Sequence, residues 1–263
     1  MATPPRILII AGSDSGGGAG IQGDIKTVAH LGGYAMTAIT ALTAQNTLGV
    51  FGVYPVPPAF VADQIRVVLE DIGADAIKTG MLHSAAVIDA VVESLSDVSC
   101  PIIVDPVMVA KGGAPLLEND ALTALITRLI PRATLLTPNL PEASLLIGKP
   151  ITSVAEMINA GDALLALGAQ NVLIKGGHLA GSEVTDLLIN PNGCEAFSSP
   201  RIVSRHTHGT GCTLASALAT CLGWGIPLEH AVIASRNYVR EAIAHAPGFG
   251  AGNGPLMHNY KEI

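Results

Sequence analysis

Compact apolar runs alternate along this chain with stretches in which apolar residues recur every three or four positions. Arg6 followed by Ile7, Leu8, Ile9 and Ile10 predicts a strand buried on both faces. Ile21, Ile25, Val28 and Leu31 then fall at helical spacing, and Gly32 and Gly33 stop the helix. Strands are expected over 34–43, with Gln45 and Asn46 at the end, and over 50–56. Pro58 opens a helix reaching residue 71. Short strands at 76–79, 102–105, 135–137 and 171–175 alternate with helices over 85–95, 120–129, 141–147 and 154–167. Segments 185–190 and 195–203 read as antiparallel strands, with Pro191, Asn192 and Gly193 between them supplying turn chemistry. Helices over 213–222 and 228–244 precede a glycine-rich loop at 247–255. The repeated strand-then-helix order predicts an α/β sandwich with a mostly parallel sheet, in one domain spanning 1–263.

Open parallel sheets bind ligands at the carboxyl ends of their strands. Gln45, Asp105, Asn139 and Lys175 are the polar residues expected at those ends. Two glycine clusters add to them. Gly16–Gly20 follows the first strand but fits neither dinucleotide fingerprint nor phosphate loop: Ile21 stands where a third glycine is required, and no Gly-Lys-Ser/Thr follows. It reads either as a tight turn or as backbone approaching a ligand, with Asp24 on the first helical turn aimed at the same place. The second cluster, His208-Gly209-Thr210-Gly211-Cys212-Thr213, opens an Ala- and Leu-rich helix. Its N–H groups make an anion hole suited to a migrating phosphoryl group, or simply a helix start capped by Thr210 or Thr213.

Cys212 at such a positive terminus reads as a thiol of lowered pKa able to accept a proton, or as a small core residue. Asp105 and Glu142 could hold a magnesium ion beside nucleotide phosphates, or cap a turn and a helix start. Lys175 could reach a phosphate or stand in solvent. His206 and His208 lack companion ligands at metal-binding spacing.

Charge narrows the class. A net charge of -7, with Lys and Arg unclustered, argues against nucleic acid as a partner. No membrane span is expected: the apolar stretch 214–224 is too short, and 121–147 is broken by Arg128, Arg132 and prolines. Four unpaired cysteines and a start without signal-peptide character point to a reducing cytoplasm.

Taken together, the ordered stretches resemble the hydroxymethylpyrimidine/phosphomethylpyrimidine kinases of the ribokinase superfamily. They are Ala11–Gln22, Thr40–Thr47, Lys78–Leu82, Val104–Val109, Thr137–Glu142, Lys175–His178 and His208–Thr213. The resemblance implies a three-layer α/β/α sandwich acting as a homodimer with ATP and Mg²⁺ in thiamine biosynthesis. It makes Cys212 the base, with Gly209, Thr210 and Gly211 around the phosphoryl group. It sets Asp24 and Gly12 near the substrate hydroxyl, Gln45 on the aminopyrimidine, and Met81 and Val107 beside the ring. It assigns Asn139, Glu142, Lys175 and Thr210 to the nucleotide, and Asp105 and Glu142 to the metal. Arg236 stands where such kinases often carry a lysine. Pyridoxal kinase on the same scaffold is the nearest alternative reading, and a non-catalytic pyrimidine sensor the more distant one.

Overall fold

The computed structural model describes residues 2–109, 113, 116–118 and 120–260. Within them, nine strands form one sheet: β1 (Arg6–Asp14), β2 (Tyr34–Asn46), β3 (Gly49–Pro55), β4 (Ala76–Thr79), β5 (Ile102–Val104), β6 (Leu135–Leu136), β7 (Val172–Ile174), β8 (Glu183–Asn190) and β9 (Gly193–Pro200). Their order is β3-β2-β1-β4-β5-β6-β7-β8-β9. In that order the strands from β2 to β7 run parallel, and antiparallel pairs with β3 on one side and β8–β9 on the other complete the sheet.

Side chains of a strand point alternately to opposite faces, so an unbroken apolar run must feed two cores. Leu8 and Ile10 of β1 pack on one side with Val61 and Ile65 of α2 (Pro58–Asp71) and Val87, Ile88 and Val91 of α3 (Ala85–Ser94), preceded in the chain by α1 (Gly20–His30). Ile7, Ile9 and Ala11 pack on the other, against Ile21 and Val28 of α1 and against Ala215 and Ala219. The first core extends over α4 (Ala121–Ala124), α5 (Leu140–Ile147) and α6 (Val154–Leu165). The second face is completed by α7 (Thr210–Gly223) and α8 (Leu228–Ala244). α7 is buried from Thr213 to Cys221, which explains its small residues: a helix wedged between sheet and neighbouring helices has no room for bulk.

Three departures from the sequence expectation matter. The helix expected over 120–129 is α-helical only as far as Ala124; a π-turn over Leu125–Leu129 and a 3₁₀ turn over Ile130–Arg132 follow. Pro131 has no N–H, and its ring would strike a carbonyl one turn back, so the backbone widens before it. β1 continues past Ile10 to Asp14 through a register shift between Ala11 and Ser13, which puts Gly12 in the irregularity. The penultimate helix starts at Thr210 rather than 213, making Gly209 its N-cap residue.

Candidate active site

The carboxyl ends of the parallel strands open into a cavity of about 1040 Å³. Gly12, Gln45, Met81, Asp105, Val107, Asn139, Glu142, Lys175, Gly209, Thr210, Gly211 and Cys212 all line it. One expected residue is missing from the wall: Asp24 lies on the second turn of α1, wholly buried behind it. There its carboxylate meets Lys78 Nζ at 2.8 Å and accepts the Ser216 hydroxyl at 2.7 Å. The helix turns this side chain into the sheet, so the expected approach to a substrate hydroxyl is replaced by an internal ion pair.

The two glycine clusters interlock. Gly209 has φ +86, and a Cβ there would fall 1.9 Å from the carbonyl oxygen of Gly18. Only glycine permits both that backbone and that approach. Asp14 organises the partner loop: its Oδ1 accepts the Gly16 amide at 2.8 Å, and its Oδ2 accepts those of Ala19 and Gly18 at 2.8 and 3.1 Å. His208 Nε2 reaches the same Oδ2 at 2.9 Å, tying the loops together. Burial opposes the charge on Asp14, but the His208 ring and the amides outweigh it and hold the carboxyl below its usual range.

No side chain caps α7. Thr210 donates to the Thr207 carbonyl at 2.7 Å, and Thr213 pairs with His258 at 3.0 Å, so neither serves as the cap that the alternative reading required. The Thr210 and Thr213 amides bond the Thr207 and Gly209 carbonyls at 3.4 and 2.9 Å, which leaves those of Gly211 and Cys212 as the candidates to meet an anion. Cys212 occupies this turn, yet its thiol is pushed up to about 11 rather than lowered. Burial dominates; Lys78 and the Gly20 amide pull the other way without overcoming it. Cys212 lines the cavity, yet burial governs its thiol.

Asp105, Glu142 and Lys175 meet beside this turn. Lys175 Nζ is 2.8 Å from Asp105 and 3.9 Å from Glu142. Burial raises the Glu142 carboxyl, with Lys175 opposing and Asp105 assisting. Asn139 and Glu142 also form a capping box: Asn139 Oδ1 accepts the Glu142 amide at 2.9 Å, and Glu142 Oε2 accepts the Asn139 amide at 2.8 Å. The capping reading of Glu142 is thus borne out, and both residues stand in the cavity wall as well. A Cβ on Gly211 would stand 3.3 Å from Lys175 Nζ and 3.6 Å from Asp105, so the helix terminus and the carboxylates share one space. Two carboxylates balanced by a lysine suit a hard divalent cation that arrives with phosphates and water. No cluster of three or more metal-binding side chains occurs among the described residues.

Arg236 lines the cavity, but its guanidinium is already engaged by Asp186 at 2.8 Å, the Val184 carbonyl at 3.1 Å and Ser199 at 3.2 Å. Sequence reasoning passes over Asp14, Lys78, Asp186 and His208 as site residues. A lysine inside the buried run Ala76–Thr79 signals a hidden carboxylate partner. An aspartate just ahead of a glycine run signals a loop closed on its carboxylate.

The sequence profile described as phosphomethylpyrimidine kinase matches residues 14–257. A hydroxymethylpyrimidine/phosphomethylpyrimidine kinase of Streptomyces coelicolor is 48% identical over 98% of this chain and 96% of its own length. The thiamine biosynthesis bifunctional protein ThiED of Geobacter sulfurreducens is 51% identical over 96% of this chain, which spans about half of it (52%). Among solved structures, a phosphomethylpyrimidine kinase from Clostridium difficile superposes with TM-score 0.81 at 42% identity, covering 91% of this chain and 99% of that one. Bacillus subtilis pyridoxal kinase in its ADP complex superposes with TM-score 0.91 at 35% identity, covering 97% and 98%. With a profile match over most of its length and near-full-length relatives at this identity, the chain belongs to the phosphomethylpyrimidine kinase family.

Proposed function

We propose that this enzyme transfers the γ-phosphoryl group of ATP to the hydroxymethyl oxygen of 4-amino-5-hydroxymethyl-2-methylpyrimidine, and then a second phosphoryl group to the resulting monophosphate. The observation that carries this reading is convergence. An uncapped helix terminus, a cationic side chain, two carboxylates and an amide-bearing apolar pocket open into one cavity.

Gln45 offers a donor and an acceptor to a ring nitrogen beside an amino group, with Met81 and Val107 flanking the ring. The first-turn amides of α7 stabilise charge on the moving phosphoryl group, and Lys175 neutralises a phosphate oxygen. Asn139, Thr210 and Glu142 hold the rest of the nucleotide. Asp105 and Glu142 would hold a magnesium ion, which when bound supplies charge neutralisation at the phosphates. Cys212 accepts the proton of the attacking hydroxyl. With the thiol pushed up to about 11, only the small thiolate fraction can take that proton at neutral pH, and the rate should rise with pH as that fraction grows.

The test is product analysis of the purified protein with ATP, Mg²⁺ and the aminopyrimidine; mono- and then diphosphate are expected. Monophosphate alone would remove the second step. The second reading, pyridoxal phosphorylation, is favoured by the superposition on pyridoxal kinases at TM-score 0.91. Turnover of pyridoxal but not of the pyrimidine would establish it instead.

The enzyme works as a homodimer in the cytoplasm in this proposal. The outer strand β3 and its surroundings expose Leu48, Phe51, Tyr54 and Phe60, an apolar patch suited to a second copy. Light scattering on a sizing column checks the mass.

A further inference from the structure

The amide of Gln45 lines the cavity, and the direction in which it points decides which ring edge it can read; the selectivity inferred from it rests on the kinase activity proposed for this site. As placed, Gln45 Nε2 lies 3.2 Å from His208 Nε2, and Gln45 Oε1 lies 3.2 Å from the Thr43 hydroxyl oxygen. The protons on both neighbours reverse that orientation. Asp14 Oδ2, 2.9 Å from the same His208 nitrogen, also accepts the amides of Gly18 and Ala19, while Oδ1 accepts that of Gly16. A carboxylate ringed by donors is an acceptor only, so His208 Nε2 carries the proton. Two donors would then face each other across the His208–Gln45 contact. On the other side, the single proton of Thr43 goes to the Ser13 carbonyl at 2.9 Å, so the Thr43 oxygen faces Gln45 as an acceptor opposite another acceptor. Turning the amide by half a revolution removes both mismatches: the NH₂ then donates to the Thr43 oxygen, and the carbonyl shares, as the weaker branch of a forked bond, the one His208 Nε2 proton that Asp14 Oδ2 already accepts.

We propose that His208, anchored by Asp14, is a positioning residue that fixes the polarity of the Gln45 amide, with the carbonyl toward His208 and the NH₂ toward Thr43. One carbonyl lone pair and one N–H remain, and they set an acceptor-then-donor order on the cavity wall. A 4-aminopyrimidine matches it, giving its amino proton to the carbonyl and its ring nitrogen to the N–H. The 4-oxo analogue presents a carbonyl and a ring N–H in the reverse order and is refused. An amide free to turn would accept either ring. His208 thus selects the hydrogen-bonding sense of the heterocycle.

Two measurements test this. In the ligand-free wild-type protein, proton NMR should show contacts from the Gln45 side-chain NH₂ to the Thr43 methyl group. Contacts to the His208 ring Hε1 in their place overturn the assignment, whatever the enzyme phosphorylates. In steady-state assays, the wild type should favour the 4-amino ring over its 4-oxo analogue by at least about 20-fold in kcat/KM. In His208→Ala that preference should fall below about 5-fold, with the loss on the amino ring borne mainly by KM. An unchanged preference in a folded His208→Ala protein overturns the positioning role. If that variant does not fold, the wild-type NMR contacts still decide the polarity. Expected contacts with neither ring phosphorylated would uphold the amide orientation and remove the pyrimidine as substrate.

Discussion

Replacing Asp24 by Asn strips the charge from one member of a buried pair and leaves the other behind. Both side chains are fully buried, 2.8 Å apart, with the Ser216 hydroxyl as a further donor to the carboxylate. The two partners give unequal accounts of the pair. Burial alone would lower Lys78, but Asp24, with Cys212 and Asp105 beyond it, holds the ammonium above its usual range. The Asp24 carboxyl is raised, because burial outweighs Lys78 and Ser216. The Lys78 direction is the one that decides the charge state: the lysine is an ammonium at neutral pH. The net worth of the pair is small, since desolvation offsets much of the attraction, yet an unpaired ammonium in the same place is expensive. Asp24→Asn should therefore cost about 3–5 kcal/mol, or about 6–20 °C in Tm for a chain of this size. Asp24→Leu combined with Lys78→Met buries no charge and should cost less than about 2 kcal/mol. Urea unfolding of the wild type, Asp24→Leu, Lys78→Met and the double variant measures the cycle, with Asp24→Asn read beside it. A silent Asp24→Asn, or a double variant as unstable as the singles, would refute the reasoning.

Alkylation of Cys212 by iodoacetamide, followed by peptide mass spectrometry, should accelerate about tenfold per pH unit from 7 towards 10, because burial has pushed the thiol up to about 11. A plateau near pH 8 would contradict it. Glu142 has its carboxyl raised by burial to about 7, so the folded state holds that proton more tightly than the unfolded chain. Stability should fall as pH rises from about 4.5 to about 7, by on the order of 3 kcal/mol; Glu142→Gln, which preserves the capping box, should abolish that slope in urea midpoints. Gly209→Ala, with φ +86 and a clash against the Gly18 carbonyl, should lose about 3 kcal/mol and most phosphotransfer activity, read by urea unfolding and product assay.

Periodicity locates every strand of the sheet because buried parallel strands are short, uniformly apolar and punctuated by glycine and proline. The ends of elements are less legible. β1 runs on through Gly12 to Asp14 because β2 offers partners beyond the apolar run, and an isolated sequence does not show which neighbour a polar residue will pair with. Asp105, Glu142, Lys175 and the 209–212 turn are readable because strand-end polar residues and a glycine-opened helix carry a local signature. Asp24 misleads because helical position gives a direction relative to the helix alone, while its neighbour Lys78 is 54 residues away. The Cys212 thiol misleads for a related reason: the terminus charge is local and visible, whereas the enclosing protein that outweighs it comes from distant segments. His208 suggests at most a metal ligand by its spacing, since its partner Asp14 is 194 residues distant.

The backbone contact of Gly209 with Gly18 has a consequence for assembly during synthesis. The strand and loop that open the chain leave the ribosome early, but the turn that completes the phosphoryl cradle emerges only after most of the sheet exists. Partial products can build much of the first core, which draws on strands and helices from β1 to α6, while lacking the Gly209 turn. In the site as proposed, the Gly209 turn can close on the Gly18 loop only once the C-terminal helices dock, so the two halves of the cradle meet late in synthesis.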